Sequence, residues 1–198
     1  MTEETTDARL RSDARRNRRT VLNAAVALLA QRPQATMQEV ADASGLGRTT
    51  VYRHFPRRQD LIDALFTEVI REATGTTEEA LRSAGSAREL LCELGPRFIA
   101  IGDRYRFVEA HPDLRERALN PIDEVTNPLE AYLTAAQARG ELRTDLPVAW
   151  ILTTLRGLGV VAMIEVNAGR MTVEQAGRYV GETCASAFAP PPEEHASG

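Results

Sequence analysis

Residues 45–55 read Gly45-Leu-Gly-Arg-Thr-Thr-Val-Tyr-Arg-His-Phe55, and their polarity is lopsided. The large apolar residues are Leu46, Val51 and Phe55; Tyr52 is half-polar, and the rest are small, basic or hydroxylated. On a helix turning by about 100° per residue, with Arg48 at zero, Tyr52 falls near ~40°, Thr49 near ~100°, Arg53 near ~140° and Thr50 near ~200°. Val51 and Phe55 fall together near ~300° and ~340°. One side suits a core. The other presents two guanidinium groups, two hydroxyls and a phenol.

The residues just upstream supply a matching half. Thr36-Met-Gln-Glu39 has the form of a capping box, in which the Thr hydroxyl accepts from the Glu39 amide and the carboxylate reaches back. This predicts a short helix over Met37–Ala43, ended by Ser44-Gly45. Val40 is apolar, Ala41 is small enough for close helix approach, and Gly45 can take the left-handed turn. Two short helices about a tight glycine turn make a helix-turn-helix, which lays its second helix in the major groove of DNA. Arginine can pair with both guanine acceptors, threonine can touch a thymine methyl, and tyrosine or histidine can hold phosphates. A short amphipathic helix more often faces solvent. Here the small residue, the glycine and the apolar positions all fall where the motif needs them.

Working outward, a first helix is expected from near Asp13 to Gln31, buried through Leu22, Val26 and Leu29 and stopped by Pro33. Asp60 lies in the first turn of a fourth helix reaching about Ala73, buried through Leu61, Leu65 and Val69. Further helices are expected near 77–83, 87–110, 113–119, 122–139, 147–168 and 172–188, separated by glycine and proline breaks. Pro96 should begin or kink its helix. No strand alternation or fixed-period repeat is evident. The expectation is an all-α chain of about nine helices: a disordered arm over 1–12, a helix-turn-helix domain over 13–57, a helical ligand-binding and dimerisation domain over 58–188, and a disordered tail over 189–198.

Composition agrees with that outline. The 198 residues are 43% hydrophobic and only 5% aromatic, as in a mostly helical protein. Net charge is −4, yet residues 1–58 hold eleven arginines against six acids, and the remainder thirteen against twenty-two. A basic head on an acidic body suggests a polyanion at one end. Arg15, Arg16, Arg18 and Arg19 either add backbone contacts or form a solvated basic end. Unbroken apolar runs fall short of the ~18 residues of a membrane span, and the polar start is unlike a signal peptide, so no membrane partner and a cytoplasmic location are expected. Cys92 and Cys184 are expected to be reduced thiols.

The span from about Thr20 to Leu65 closely resembles the DNA-binding domain of TetR-type (tetracycline-repressor-like) transcriptional regulators. The matching run is AAVALLA followed by TMQEVADASGLGRTTVYRHFPRRQDLIDAL, with Thr-Val-Tyr-Arg-His-Phe its most specific part. The resemblance implies that Thr49, Thr50, Tyr52, Arg53 and His54 lie at the DNA surface. Arg48 is the first candidate base reader and Arg53 the second; Thr36, Tyr52, His54 and Arg58 are expected mainly to hold phosphates. The chain departs from the family pattern at Arg32-Pro33-Gln34, where the loop usually has glycine, at Arg57, where a small cap is usual, and at Arg58, where lysine is usual.

Such regulators use the second domain to dimerise and to hold a small ligand. Gly177, Gly181 and Ala185 recur every four residues, with Gly157 on the preceding helix, leaving a flat stripe that suits either a symmetry mate or close packing within the chain. Leu94, Phe98, Ile101, Tyr105 and Val108 form a core stripe. Phe98, Ile101 and Tyr105 from it, with Leu65, Val69, Trp150, Arg156 and Met163, are candidate pocket walls. Arg97 and Arg104 face either solvent or an anionic ligand. The partners expected are therefore a double-stranded operator, a second copy of the chain and an unidentified small-molecule effector. No cofactor, metal or catalytic residue is expected: His54, His111 and His195 are dispersed, and SGLGRTT lacks the first glycine and the lysine of a phosphate-binding loop. The reading is a ligand-responsive repressor. A sequence-indifferent DNA-packaging protein and an enzyme on a helical body are the alternatives.

Overall fold

The computed structural model describes residues 2–120 and 122–191. Among them are nine α-helices: α1 (Thr2–Gln31), α2 (Met37–Ser44), α3 (Arg48–His54), α4 (Arg58–Ser83), α5 (Ala87–Arg104), α6 (Pro112–Leu119), α7 (Asp123–Ala138), α8 (Val148–Asn167) and α9 (Val173–Ala187). A 3-10 helix, Arg106–Ala110, follows α5. No strand occurs among the described residues. The fold is all-α.

Three expectations about helix limits need correction. Residues 2–12 are not an irregular arm but the first turns of α1, because no proline or glycine interrupts Thr2–Gln31. The fourth helix does not stop near Ala73. It passes through Gly75 to Ser83, a single glycine being tolerated inside a long helix at a cost of about 1 kcal/mol. Residues 87–110 form an α-helix and a separate 3-10 helix rather than one element. Ala189–Pro191 are irregular; the rest of the expected tail lies outside the described residues.

The chain forms two compact units, Met1–Val69 with Arg104–Arg115, and Ile70–Asp103 with Glu116–Gly198. The first thus extends past the expected boundary at residue 57 and recruits residues of the 3-10 helix. Its core gathers Val21, Leu22, Ala25 and Leu29 of α1, Val40 and Ala41 of α2, Val51 of α3, and Phe55. Helix α1 packs on α2, α3 and the 3-10 helix.

The second unit is built on Leu90, Leu91, Leu94, Leu133, Ile151 and Leu155, all nearly or wholly buried. Here the glycine stripe of α9 is spent inside the chain. A Cβ placed on Gly95 of α5 would lie 2.5 Å from both the Gly177 carbonyl oxygen and the Gly181 nitrogen. One on Gly177 would lie 2.5 Å from Pro96 Cα, and one on Gly181 would lie 2.8 Å from the Cys92 carbonyl oxygen. Helices α5 and α9 therefore meet backbone to backbone. Pro96 sits within α5 rather than at its start, and lacking an N–H it leaves the Cys92 carbonyl without its helical donor, on the side where Gly181 approaches. Gly177, Gly181 and Ala185 are buried and so do not form the expected dimer stripe.

Helix α8 overturns the expectation that nothing here is long and apolar enough to span a membrane. Its 20 residues include an 18-residue window of mean hydropathy 1.5, a third of it buried. Threonines, glycines, Arg156 and Glu165 interrupt the apolar runs while leaving the mean hydropathy high, so no unbroken run reveals it. Ile151, Leu152, Leu155, Ala162 and Met163 put one side of α8 in the core of the second unit.

Candidate nucleic-acid interface

The capping box forms as expected. Thr36 Oγ1 accepts from the Glu39 amide at 3.3 Å, and the Thr36 amide donates to Glu39 Oε2 at 2.7 Å. The Thr36 amide and hydroxyl both donate to that carboxylate and, with Arg32 at 2.7 Å, hold the Glu39 carboxyl below its ordinary range, Thr36 contributing most. At the other end of α2, Gly45 takes φ 68°, the left-handed conformation that turns the chain out of the helix, and its amide donates to the Asp42 carbonyl. The chain then turns through Leu46 and Gly47 into α3.

Helix α3 divides as its spacing predicts. Val51 is fully buried and Phe55 is 2% exposed, whereas Arg48, Thr49, Tyr52 and Arg53 are exposed and Thr50 is half-buried. Six of the eight expected contact residues therefore lie on α3, five of them on its accessible side.

The other three are placed differently. His54 is half-buried, and its Nε2 is enclosed with no hydrogen-bond partner. Burial first, then the neighbouring Arg53 and Arg18 charges, hold its imidazole below the ordinary range. That nitrogen is not poised on a phosphate, because the last turn of α3 rolls position 54 toward the core. Arg58 is turned inward as well: Nη2 donates to the Pro33 carbonyl at 2.7 Å and Nη1 to the Ala35 carbonyl. Thr36 has both its amide and its hydroxyl engaged by Glu39. The departures from the usual pattern are thus linked, for Arg58 ties down the Pro33 loop. Arg57, in the capping position, gives its amide to Asp60 Oδ2 at 2.9 Å, so half of a capping box survives.

Candidate pocket residues are divided between the units. Leu65 and Tyr105 are buried and Val69 half-buried in the first; Ile101 and Met163 are buried and Phe98 and Arg156 half-buried in the second. Met163 lies against Gly102, where a Cβ would come within 3.0 Å of its Cγ and Sδ. Trp150 is not a pocket wall: it is 54% exposed, on the outer side of α8. Arg97 pairs with Glu79 at 3.2 Å and with Glu93, so it is not held out for an anionic ligand. Among the described residues no group of three potential metal ligands gathers. Cys92 and Cys184 are free, and burial pushes the Cys184 thiol up to about 11.

Sequence reasoning missed a second surface. Trp150, Val161 and Ile164 are exposed along α8, with Gly157 between them where an added Cβ would meet nothing within 4 Å. Their spacings put them on one side of the helix, opposite Ile151, Leu155 and Ala162. The available signal was a helix apolar on all sides with only Arg156 and Glu165 charged.

A two-sided helix led in by a capped helix and a left-handed glycine defines a helix-turn-helix DNA-binding regulator. Comparison with known proteins agrees. The sequence model for bacterial regulatory proteins of the tetR family matches residues 21–65. The HTH-type transcriptional repressor LfrR of Mycolicibacterium smegmatis is 34% identical over 147 residues, 73% of this chain and 77% of that protein. The fatty acid metabolism regulator protein of Bacillus subtilis is 23% identical over 139 residues, 65% and 72% of the two chains. The solved structure of LfrR from Mycobacterium smegmatis in complex with proflavine superposes with a TM-score of 0.65, at 24% identity, over 88% of this chain and 97% of that one. The chain belongs to the TetR family of transcriptional regulators.

Proposed function

We propose that this regulator is a ligand-responsive repressor that binds a palindromic operator as a homodimer in the cytoplasm. The observation that carries the reading is α3 itself: Val51 and Phe55 anchor it while Arg48, Thr49, Tyr52 and Arg53 face outward. Arg48 is the leading base reader, Arg53 the next, and Tyr52 a phosphate contact. A second copy would cover the apolar stripe of α8, replacing the contribution expected of Gly177, Gly181 and Ala185; Gly157 keeps its place in it. Two recognition helices related by a two-fold axis would then enter successive major grooves.

A small molecule in the second unit, against residues such as Phe98, Ile101 and Met163, would weaken DNA binding. A coupling of about 1–3 kcal/mol is typical and would suffice. LfrR has been solved with proflavine bound, which makes proflavine the first probe of release. The decisive experiment is selection of bound duplexes from a random pool, then titration of proflavine against the selected site. A palindromic consensus is expected. Equal retention of all sequences would favour a packaging protein instead.

A further inference from the structure

We propose that Thr77, in the C-terminal half of α4, is the polar anchor of the effector site: its hydroxyl hydrogen-bonds an amino, hydroxyl or carbonyl group on an otherwise apolar ligand. The inference rests on the ligand-responsive reading above and names the chemistry of that site. Thr77 is wholly buried, and among the described residues it is the one polar or charged side chain that is. Its Oγ1 has no hydrogen-bond partner. A helical threonine has an acceptor within reach, the carbonyl four residues back. Thr67 and Ser83 of the same helix use it, donating to the Asp63 and Glu79 carbonyls at 2.9 Å and 3.1 Å. Thr77 does not. A group able to donate and to accept is thus enclosed unpaired, which is costly unless something else completes it.

The surroundings of Thr77 follow from the packing of α4 on α5 within the second unit. Ser83 Oγ donates to Glu93 Oε2 at 3.2 Å, and Arg97 Nη1 lies 3.2 Å from Glu79 Oε2. One turn back along α4 therefore matches one turn forward along α5, the register of antiparallel helices. Continuing it by about half a turn brings Thr77 level with Phe98 and Ile99. Thr77 also shares its side of α4 with Ala80, three residues on, which belongs to the core of that unit. Phe98 is half-buried against the same core, and one turn beyond it Gly102 is covered by Met163 of α8. The wall at this level is thus an aromatic ring and a methionine resting on a glycine. A methionine yields by rotating its own bonds, so an irregular apolar body can be admitted without moving backbone. Beside such a body, one hydroxyl in apolar surroundings fixes where the ligand's polar group must lie. Arg97 is already paired with Glu79 and Glu93, which disfavours a carboxylate there.

The test uses the full-length protein and two fluorescent dyes, proflavine and acridine, which share one fused ring system; only proflavine carries amino groups. Affinity is measured by fluorescence titration for the unaltered chain, Thr77→Val and Thr77→Ser, and each protein is also melted without dye. Valine has the shape of threonine but no hydroxyl. Thr77→Val should weaken proflavine about tenfold, the worth of one hydrogen bond, and leave acridine within about twofold. Thr77→Ser keeps the hydroxyl and should hold proflavine closer to the unaltered chain. Without dye, Thr77→Val should melt no lower than the unaltered chain, because it removes an unpaired buried hydroxyl. Equal loss of both dyes, or of neither, would overturn the inference while leaving the ligand-responsive reading intact. So would a lower melting temperature for Thr77→Val, which would mean that the hydroxyl is completed inside the protein. Failure of the unaltered chain to bind either dye would instead overturn the effector reading beneath it, and the inference with it.

Discussion

Arg58, the first residue of α4, donates from Nη2 to the carbonyl of Pro33 across 25 residues of sequence, at 2.7 Å, and from Nη1 to Ala35. A planar guanidinium can serve two carbonyls at once, which an ammonium does less well. Hydrogen bonds from a charged group contribute about 1.5–3 kcal/mol. Arg58→Ala should therefore lower the stability of the head by about 1–3 kcal/mol in urea unfolding followed by circular dichroism, and Arg58→Lys by less. The salt slope of DNA binding should not change, which separates this loop-fastening role from phosphate contact.

His54 predicts a pH dependence. Its folded-state pKa is held below the unfolded value of about 6.5, chiefly by burial. The stability it contributes is fully present above that value and is lost as pH falls toward the depressed one, since the unfolded chain takes up the proton first. Melting temperature should decline on acidification through pH 6, and His54→Gln should flatten that decline. A fall of equal steepness in both proteins would show that another group is responsible.

The crossing of α5 and α9 predicts an asymmetry among glycines. Gly181→Ala must displace backbone at 2.8 Å, not a flexible side chain, and should cost about 1–3 kcal/mol or more, as overpacking does. Gly157→Ala meets nothing and sits inside a helix, where alanine is favoured by ~1 kcal/mol, so it should be neutral or slightly stabilising in the monomer. Differential scanning calorimetry of the two variants checks both signs.

Self-association is predicted to depend on α8. Val161 is 56% and Ile164 45% exposed. Val161→Glu or Ile164→Glu should leave helix content unchanged, because neither side chain is in the core, yet shift sedimentation toward monomer and weaken operator binding at least tenfold, about 1.4 kcal/mol. Sedimentation of the unaltered chain as a monomer would exclude this interface at once.

Base reading is predicted to lie with Arg48. Arg48→Ala should relax preference at particular base pairs of the selected site, a loss of about 1–3 kcal/mol there. Tyr52→Phe should weaken all duplexes alike, as loss of a phosphate contact does. Selection repeated with each variant distinguishes the two effects.

Much of the head was legible from residue order because its determinants are local. The Thr36–Glu39 box, the left-handed Gly45 and the alternation of Val51 and Phe55 with exposed arginines act within one or two turns, and all three stand in the structure. The placements of Arg58 and His54 were not legible, because their surroundings come from afar. The carbonyls that hold Arg58 lie in another loop, and Arg18, one of the charges acting on His54, is on α1.

The second unit was legible only as a set of helices. A row of small residues says that some backbone can approach, not whose. Gly177 and Gly181 meet Gly95 and Pro96 in the same chain, whereas Trp150, a candidate pocket wall by its spacing, faces outward.

By itself, then, the sequence determined the all-α class, the helix-turn-helix, its caps and which side of α3 is polar, since short-range hydrogen bonds and helical periodicity suffice for these. Only the tertiary structure decided which glycines are consumed by packing, which arginines are tied to carbonyls, and which apolar side of α8 stays uncovered. Those outcomes depend on which distant surfaces come within contact distance, and spacing along one chain does not encode that distance.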